Sequence, residues 1–257
     1  MNRIDQLFSG KKHNILNMFV TAGYPGLEST GEVLMALQSS GADMVEVGIP
    51  YSDPIADGPV IQQSNMIALQ NGISIKKIFE QLALIKGTFQ LPLILMGYLN
   101  PVMQYGIERF CKDAENAGVD GIILPDLPLR EYRTAYEGYF KAHNLHFTFL
   151  ITPETSKERI LEIDKITNGF IYAVSSSATT GYKTGNATES FSWLKDLAAM
   201  KLKNPVLVGF GIKDKATYKE ACKYANGAII GSAFIKRLSE GNDVKGITHT
   251  FVHEILA

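Results

Sequence analysis

Eight short apolar runs, separated by helix-length amphipathic segments, constrain the fold of this chain more than any other feature. The runs are 16–20, 44–47, 92–96, 121–124, 146–150, 169–174, 205–208 and 227–230. Most are apolar without a break. Strands that show one face to water alternate instead, so these read as parallel strands covered by helices. Eight strand-then-helix units predict an α/β fold of the (β/α)8 (TIM) barrel type, with the whole chain, 1–257, as one barrel domain. The rival is an open doubly wound sheet. That fold normally carries a glycine fingerprint after its first strand, where this chain has Thr21-Ala22-Gly23-Tyr24-Pro25.

The intervening segments have helical spacing. In 74–85, Ile75, Ile78, Phe79, Leu82 and Ile85 share a face. Segments 29–39, 107–117, 130–142, 156–166, 188–200 and 214–224 follow the same pattern, with Ser74, Ser156 and Asp214 as expected N-caps. Gly41, Gly118, Gly169 and Gly227 fall between a helix and the next strand. Two additions to a plain barrel are expected. One is an extra N-terminal helix over 2–8. The other is a long loop after the second strand, 51–73, containing a helix over 61–70. Long connections in compact domains are usually functional.

With 257 residues and a formal net charge of −1, the chain suits one large core and implies no polyelectrolyte partner, so no nucleic acid. Cys111 and Cys222 read as reduced thiols of a cytoplasmic protein. The stretch Met1 to Asp5 shows no apolar signal core, and no apolar run is long enough to span a membrane. His143, His146, His249 and His253 lack the spacing of a metal site and read as surface or capping residues. No metal and no cofactor is expected.

Glu46 interrupts the second strand's apolar run, and Asp57 follows in a loop punctuated by Pro50, Pro54, Gly58 and Pro59. A carboxylate on a core strand is costly unless it is paired, hydrogen-bonded or kept for chemistry. The competing explanations are a strand-end Glu tied to a basic neighbour and an Asp-Gly that only shapes a turn. Two carboxylates facing one cleft from different environments can divide acid and base roles.

Active sites of such barrels lie at the C-terminal strand ends, often with a phosphate between the last loops. The seventh strand ends Gly209-Phe210-Gly211 and the eighth Gly231-Ser232-Ala233. Glycines there let backbone N–H groups approach an anion, and Ser232 is placed to start a short helix. The sixth loop adds Gly181. The alternative is that these glycines only make tight turns. Phe19, Tyr98, Leu124, Phe149, Tyr172 and Phe210, all near strand ends, would line a flat aromatic pocket, although any one of them alone reads as barrel packing. Together these features describe a phosphorylated small molecule with an aromatic end.

With these residues in place, the chain resembles the α subunit of tryptophan synthase over nearly its whole length. The segment 46–59, Glu-Val-Gly-Ile-Pro-Tyr-Ser-Asp-Pro-Ile-Ala-Asp-Gly-Pro, matches that family's signature. Residues 19–25, Asn100-Pro101, 125–128, 209–211 and 231–233 support it. The resemblance implies cleavage of indole-3-glycerol phosphate to indole and glyceraldehyde 3-phosphate. It also implies a β-subunit partner that receives the indole, in an α2β2 heterotetramer. It makes Glu46 and Asp57 the catalytic pair, Tyr172 the active-site tyrosine, and Gly181, Gly211, Gly231 and Ser232 the phosphate site. The sixth loop departs from the family's Ser-x-x-Gly-Val-Thr-Gly. Thr180, kept as a substrate contact, and Gly181 are retained, but Ala178 and Thr179 replace Gly and Val.

The implied reaction is a retro-aldol cleavage in which indole C3 must be protonated before the bond to the side chain breaks. Glu46 is the expected acid, with a pKa raised from ~4.3 toward ~6–7 by apolar surroundings. Asp57 is expected to stay ionised against the indole N–H. A Schiff-base aldolase would need a lysine at a strand end, and a metal aldolase or epimerase a histidine and carboxylate set; neither pattern is in the strands. Another phosphate-binding barrel of tryptophan or histidine synthesis leaves 46–59 unexplained. A regulatory partner that senses ligand and activates a β subunit without much turnover is the alternative the altered sixth loop suggests.

Overall fold

The computed structural model describes residues 1–174, 187–209 and 211–257, apart from the side chains of 187–192. Among them are nine parallel strand segments: β1 (Ile15–Thr21), β2 (Met44–Gly48), β3 (Leu93–Met96), β4 (Gly121–Ile123), β5 (His146–Phe147), β6 (Leu150–Ile151), β7 (Ile171–Val174), β8 (Val206–Gly209) and β9 (Gly227–Ile230). They pair in the order β5-β4-β3-β2-β1-β9-β8-β7-β6. Residues 146–151 are one stretch that changes partner. The N–H of Thr148 donates to Ile122 at 3.1 Å, and the carbonyl of Phe149 accepts from Tyr172 at 3.0 Å. The eight expected strands are therefore present, the fifth as β5 and β6, and this stretch joins the two ends of the curled sheet into a TIM barrel.

β1, β2, β7, β8 and β9 are buried along their full length. The floor of the barrel is closed by a helix over Arg3–Gly10, N-capped by Asn2, whose side chain accepts from Ile4 N–H at 2.9 Å. Arg3 grips the Asp120 carboxylate (Nε to Oδ2, 2.9 Å) and donates to the carbonyls of Phe89 and Gly118. Asp120 also accepts from the Leu93 N–H at 2.8 Å, so one ion pair ties the N-terminal helix to β3 and β4.

Ser74, Ser156 and Asp214 cap their helices through hydrogen bonds to the third residue on. The helix in the long second connection runs Pro59–Gln70. Two segments differ from expectation. Residues Leu99–Tyr105, for which the sequence pattern gave no element, form a helix. Its first free N–H, that of Leu99, is satisfied by the Asp126 carboxylate at 2.9 Å, a cap supplied by a different loop. The helix expected over 130–142 contains a wide π turn, Tyr132–Tyr136, between α segments Leu129–Glu131 and Glu137–Ala142. The wide turn absorbs one residue, so Tyr132 and Phe140, eight apart, stack on one face with an interplanar angle of 13°. Helices over Ser232–Leu238 and Val244–Leu256 complete the last unit. Among the described residues, no helix is long and apolar enough to cross a membrane.

Candidate active site

Glu46 sits in β2, opposite Phe19 of β1 and Ile94 of β3, and is 0% exposed. Its Oε1 accepts a 2.6 Å hydrogen bond from Asn17 Nδ2 of β1. Its Oε2 has no hydrogen-bond partner among the described residues. Among the described residues no cation offsets the loss of water, and burial pushes its pKa up to about 8, against the opposing effect of the Asn17 bond. Glu46 is thus a neutral acid at pH 7, further from an ordinary carboxyl than its sequence context suggested.

Asp57 is half-buried in the loop after β2. Asn65, on the helix that follows, approaches its Oδ2 at 3.4 Å, and the Gln62 side chain holds the Asp57 carbonyl at 2.9 Å. Burial raises its pKa to about 6, with hydrogen bonds from Asn65 and Tyr98 working in the other direction. Asp57 is therefore mostly ionised at pH 7. The Tyr98 hydroxyl accepts from the Ala56 N–H at 3.0 Å and keeps its proton because of burial and the Asp57 charge beside it.

Tyr172 lies within electrostatic reach of both acids. It lies in β7, fully buried, and its phenol is held neutral first by burial, then by the charges of Glu46 and Asp57. A Cβ on Gly209 in β8 would fall on the Tyr172 phenol, so glycine at that position lets the phenol lie against β8. Phe19, Gly48, Asp57, Met96 and Tyr98 line a cleft at this end of the sheet.

The expected pocket is only partly assembled by the described residues. Phe19, Tyr98 and Tyr172 gather around the carboxyls, and Leu124 is buried beside the cleft-lining Pro125. Phe149 does not join them. Its ring packs edge-on to Tyr132 (5.0 Å) and against Phe147 (4.8 Å), in the layer between sheet and helices. The cause is strand alternation. Leu150 pairs with the inward-facing Tyr172, so its neighbour Phe149 faces out. Thr180, Gly181 and Phe210 lie outside the described residues, as does the altered loop 175–185.

At the other side of the mouth, β8 and β9 run side by side. Gly211 has φ +77°, a conformation few other residues adopt, and Gly231 leads into the helix that Ser232 begins. Gly211 and Ser232 are exposed at the mouth and Gly231 partly so.

Asn17 and Asn65 were missed in the sequence. Asn17 had a signal: it interrupts the apolar run of β1 as Glu46 interrupts that of β2. The histidines have ordinary partners. His143 meets Glu115 at 2.6 Å, His146 meets Asp5 at 2.8 Å, and His249 stacks on His253.

The profile of the tryptophan synthase alpha chain family matches residues 6–254. The chain belongs to that family. The alpha chain of Flavobacterium psychrophilum is 50% identical over 99% of this chain and 100% of that protein. That of Parabacteroides distasonis is 52% identical over 93% of each. A crystal structure of the alpha chain from Legionella pneumophila superposes with a TM-score of 0.89 at 34% identity, covering 99% of this chain and 96% of that one. As a tryptophan synthase alpha chain, it is a carbon–carbon lyase that cleaves indole-3-glycerol phosphate in tryptophan biosynthesis.

Proposed function

We propose that Glu46 and Asp57 carry this cleavage as an acid and a charge stabiliser held at opposite protonation states. The observation that supports the assignment is the contrast in their surroundings: Glu46 is 0% exposed on β2 beside the Asn17 amide, while Asp57 is half-buried in the loop after β2 beside Asn65, so burial raises the first carboxyl further than the second. Environments that push two carboxyls apart in this way separate acid from anion. Glu46 gives its proton to indole C3. The positive charge that develops on the ring nitrogen is balanced by ionised Asp57, which accepts the indole N–H. The carboxylate left on Glu46 then takes the proton from the hydroxyl on the carbon attached to C3. That oxygen becomes the aldehyde, the carbon–carbon bond breaks, and its electron pair returns to the ring.

Phe19, Leu124, Tyr98 and Tyr172 enclose the indole in this reading, with Thr180 and Phe210 as further contacts. Gly211, Gly231 and Ser232, with Gly181, hold the phosphate. Phe149 is left out because its ring faces the helices. A single barrel carries all of these groups. The released indole passes to a β subunit, the partner in an α2β2 assembly. The work is assigned to the cytoplasm, in keeping with two free cysteines.

The test is indole release by Glu46→Gln and Asp57→Asn. Each should fall by roughly a hundredfold or more while the fold is kept. A Glu46→Gln chain with most of its activity would overturn the assignment.

A further inference from the structure

We infer that Asn17 is a positioning residue for the reaction: its amide occupies one oxygen of Glu46 and so leaves the transferable proton on the other. The inference rests on the acid role proposed for Glu46. Asn17 is 0% exposed in β1, level with Met44 and so two residues deeper in the barrel than the Phe19–Glu46 pair. An amide this deep, among apolar side chains, is costly unless its hydrogen bonds are made.

A neutral carboxylic acid and a primary amide can pair through two hydrogen bonds, N–H to the carboxyl oxygen and O–H to the amide oxygen. Here only the first is formed, Nδ2 to Oε1 at 2.6 Å. Both atoms of the second bond, Glu46 Oε2 and Asn17 Oδ1, lack a partner among the described residues. Oε1 is already accepting, so the acid proton belongs on Oε2. Because Oε2–H is not spent on the amide, it is available to a carbon base above it. The same N–H favours the carboxylate left behind after transfer, and so helps Glu46 to give up its proton. Among the described residues, the titratable groups that share its surroundings are the Tyr172 phenol of β7, on which both Glu46 and Asp57 act electrostatically, and Asp57 in the loop after β2.

The experiment compares the full-length wild-type chain with Asn17→Leu, which is close in volume and apolar. Glu46 is titrated through its 13C-labelled carboxyl by NMR, and kcat and KM for indole release are followed against pH. Loss of a hydrogen bond to an ionised group should move the Glu46 titration and the alkaline limb of kcat upward together by roughly one to two pH units. Plateau kcat should fall about tenfold, with KM within about twofold, because Asn17 lies below the substrate. An unmoved Glu46 titration overturns the inference about Asn17 alone. A moved titration with an unmoved alkaline limb overturns the acid role of Glu46 and with it the value of the contact. Asn17→Ala is read by the same criteria and takes the place of Asn17→Leu if that chain does not fold.

Discussion

Replacing Glu46 by Gln should stabilise the protein while it inactivates it, and the gain should depend on pH in a calculable way. In the unfolded chain Glu46 ionises near 4.5; in the folded chain burial holds it protonated up to about 8. A folded-state pKa above the unfolded value gives stability that is complete below 4.5 and is lost as pH rises through 8. Each pH unit within that window costs about 1.4 kcal/mol. The loss is thus roughly 3 kcal/mol at pH 7 and roughly 5 kcal/mol above pH 8. Glutamine cannot ionise, and its carbonyl oxygen can still accept from Asn17. Urea unfolding of wild type and Glu46→Gln at pH 5, 7 and 9 measures the difference directly, since every other titrating group cancels between the two. The variant should unfold at nearly the same urea concentration as wild type at pH 5 and at about 1 M higher at pH 7. A difference that stays flat from pH 5 to 9, or a variant less stable than wild type at pH 7, would refute the claim that Glu46 is buried without a compensating charge.

Other expectations follow from the same geometry. Indole release by the wild-type chain should be bell-shaped in pH, falling below about 6 as Asp57 takes a proton and above about 8 as Glu46 loses one; Asp57→Asn should abolish the acid limb of whatever activity remains. Gly209→Ala should lower kcat at least tenfold and destabilise by about 1–3 kcal/mol, because the added methyl displaces the Tyr172 phenol; steady-state kinetics with thermal melting checks both. Asp120→Ala should cost about 2–4 kcal/mol by unpairing Arg3 and the Leu93 N–H at the barrel floor, with kcat unchanged when assayed well below the melting temperature.

Much of this architecture was readable in the residues, for reasons that are local. Strands such as 44–48 declare themselves because burial on both faces demands apolar residues throughout, and the caps at Ser74, Ser156 and Asp214 are short-range hydrogen bonds between near neighbours. Glu46 was visible because it breaks such a strand. Other features depend on partners distant in sequence. The helix at Leu99–Tyr105 is capped by Asp126, and the π turn at Tyr132–Tyr136 serves an aromatic stack that includes β5. Phe149 was assigned to the pocket on its position near a strand end, but which face it takes depends on the register between Leu150 and Tyr172. The upward shift of Glu46 was expected from its place in an apolar strand, whereas that of Asp57 was not. The size of the Glu46 shift depends on how completely the barrel excludes water from Glu46, which no stretch of sequence states.

The proposed cleavage depends on two carboxyls meeting one phosphate-anchored indole ring. A crystal structure with indolepropanol phosphate, which carries no hydroxyl to deprotonate and cannot be cleaved, tests this most directly. The expected result has the ring N–H within ~2.6–3.2 Å of an Asp57 oxygen, C3 facing Oε2 of Glu46, and the phosphate against Gly211, Gly231 and Ser232. A ring bound with its nitrogen toward Glu46, or a phosphate seated anywhere other than between the ends of β8 and β9, would contradict it.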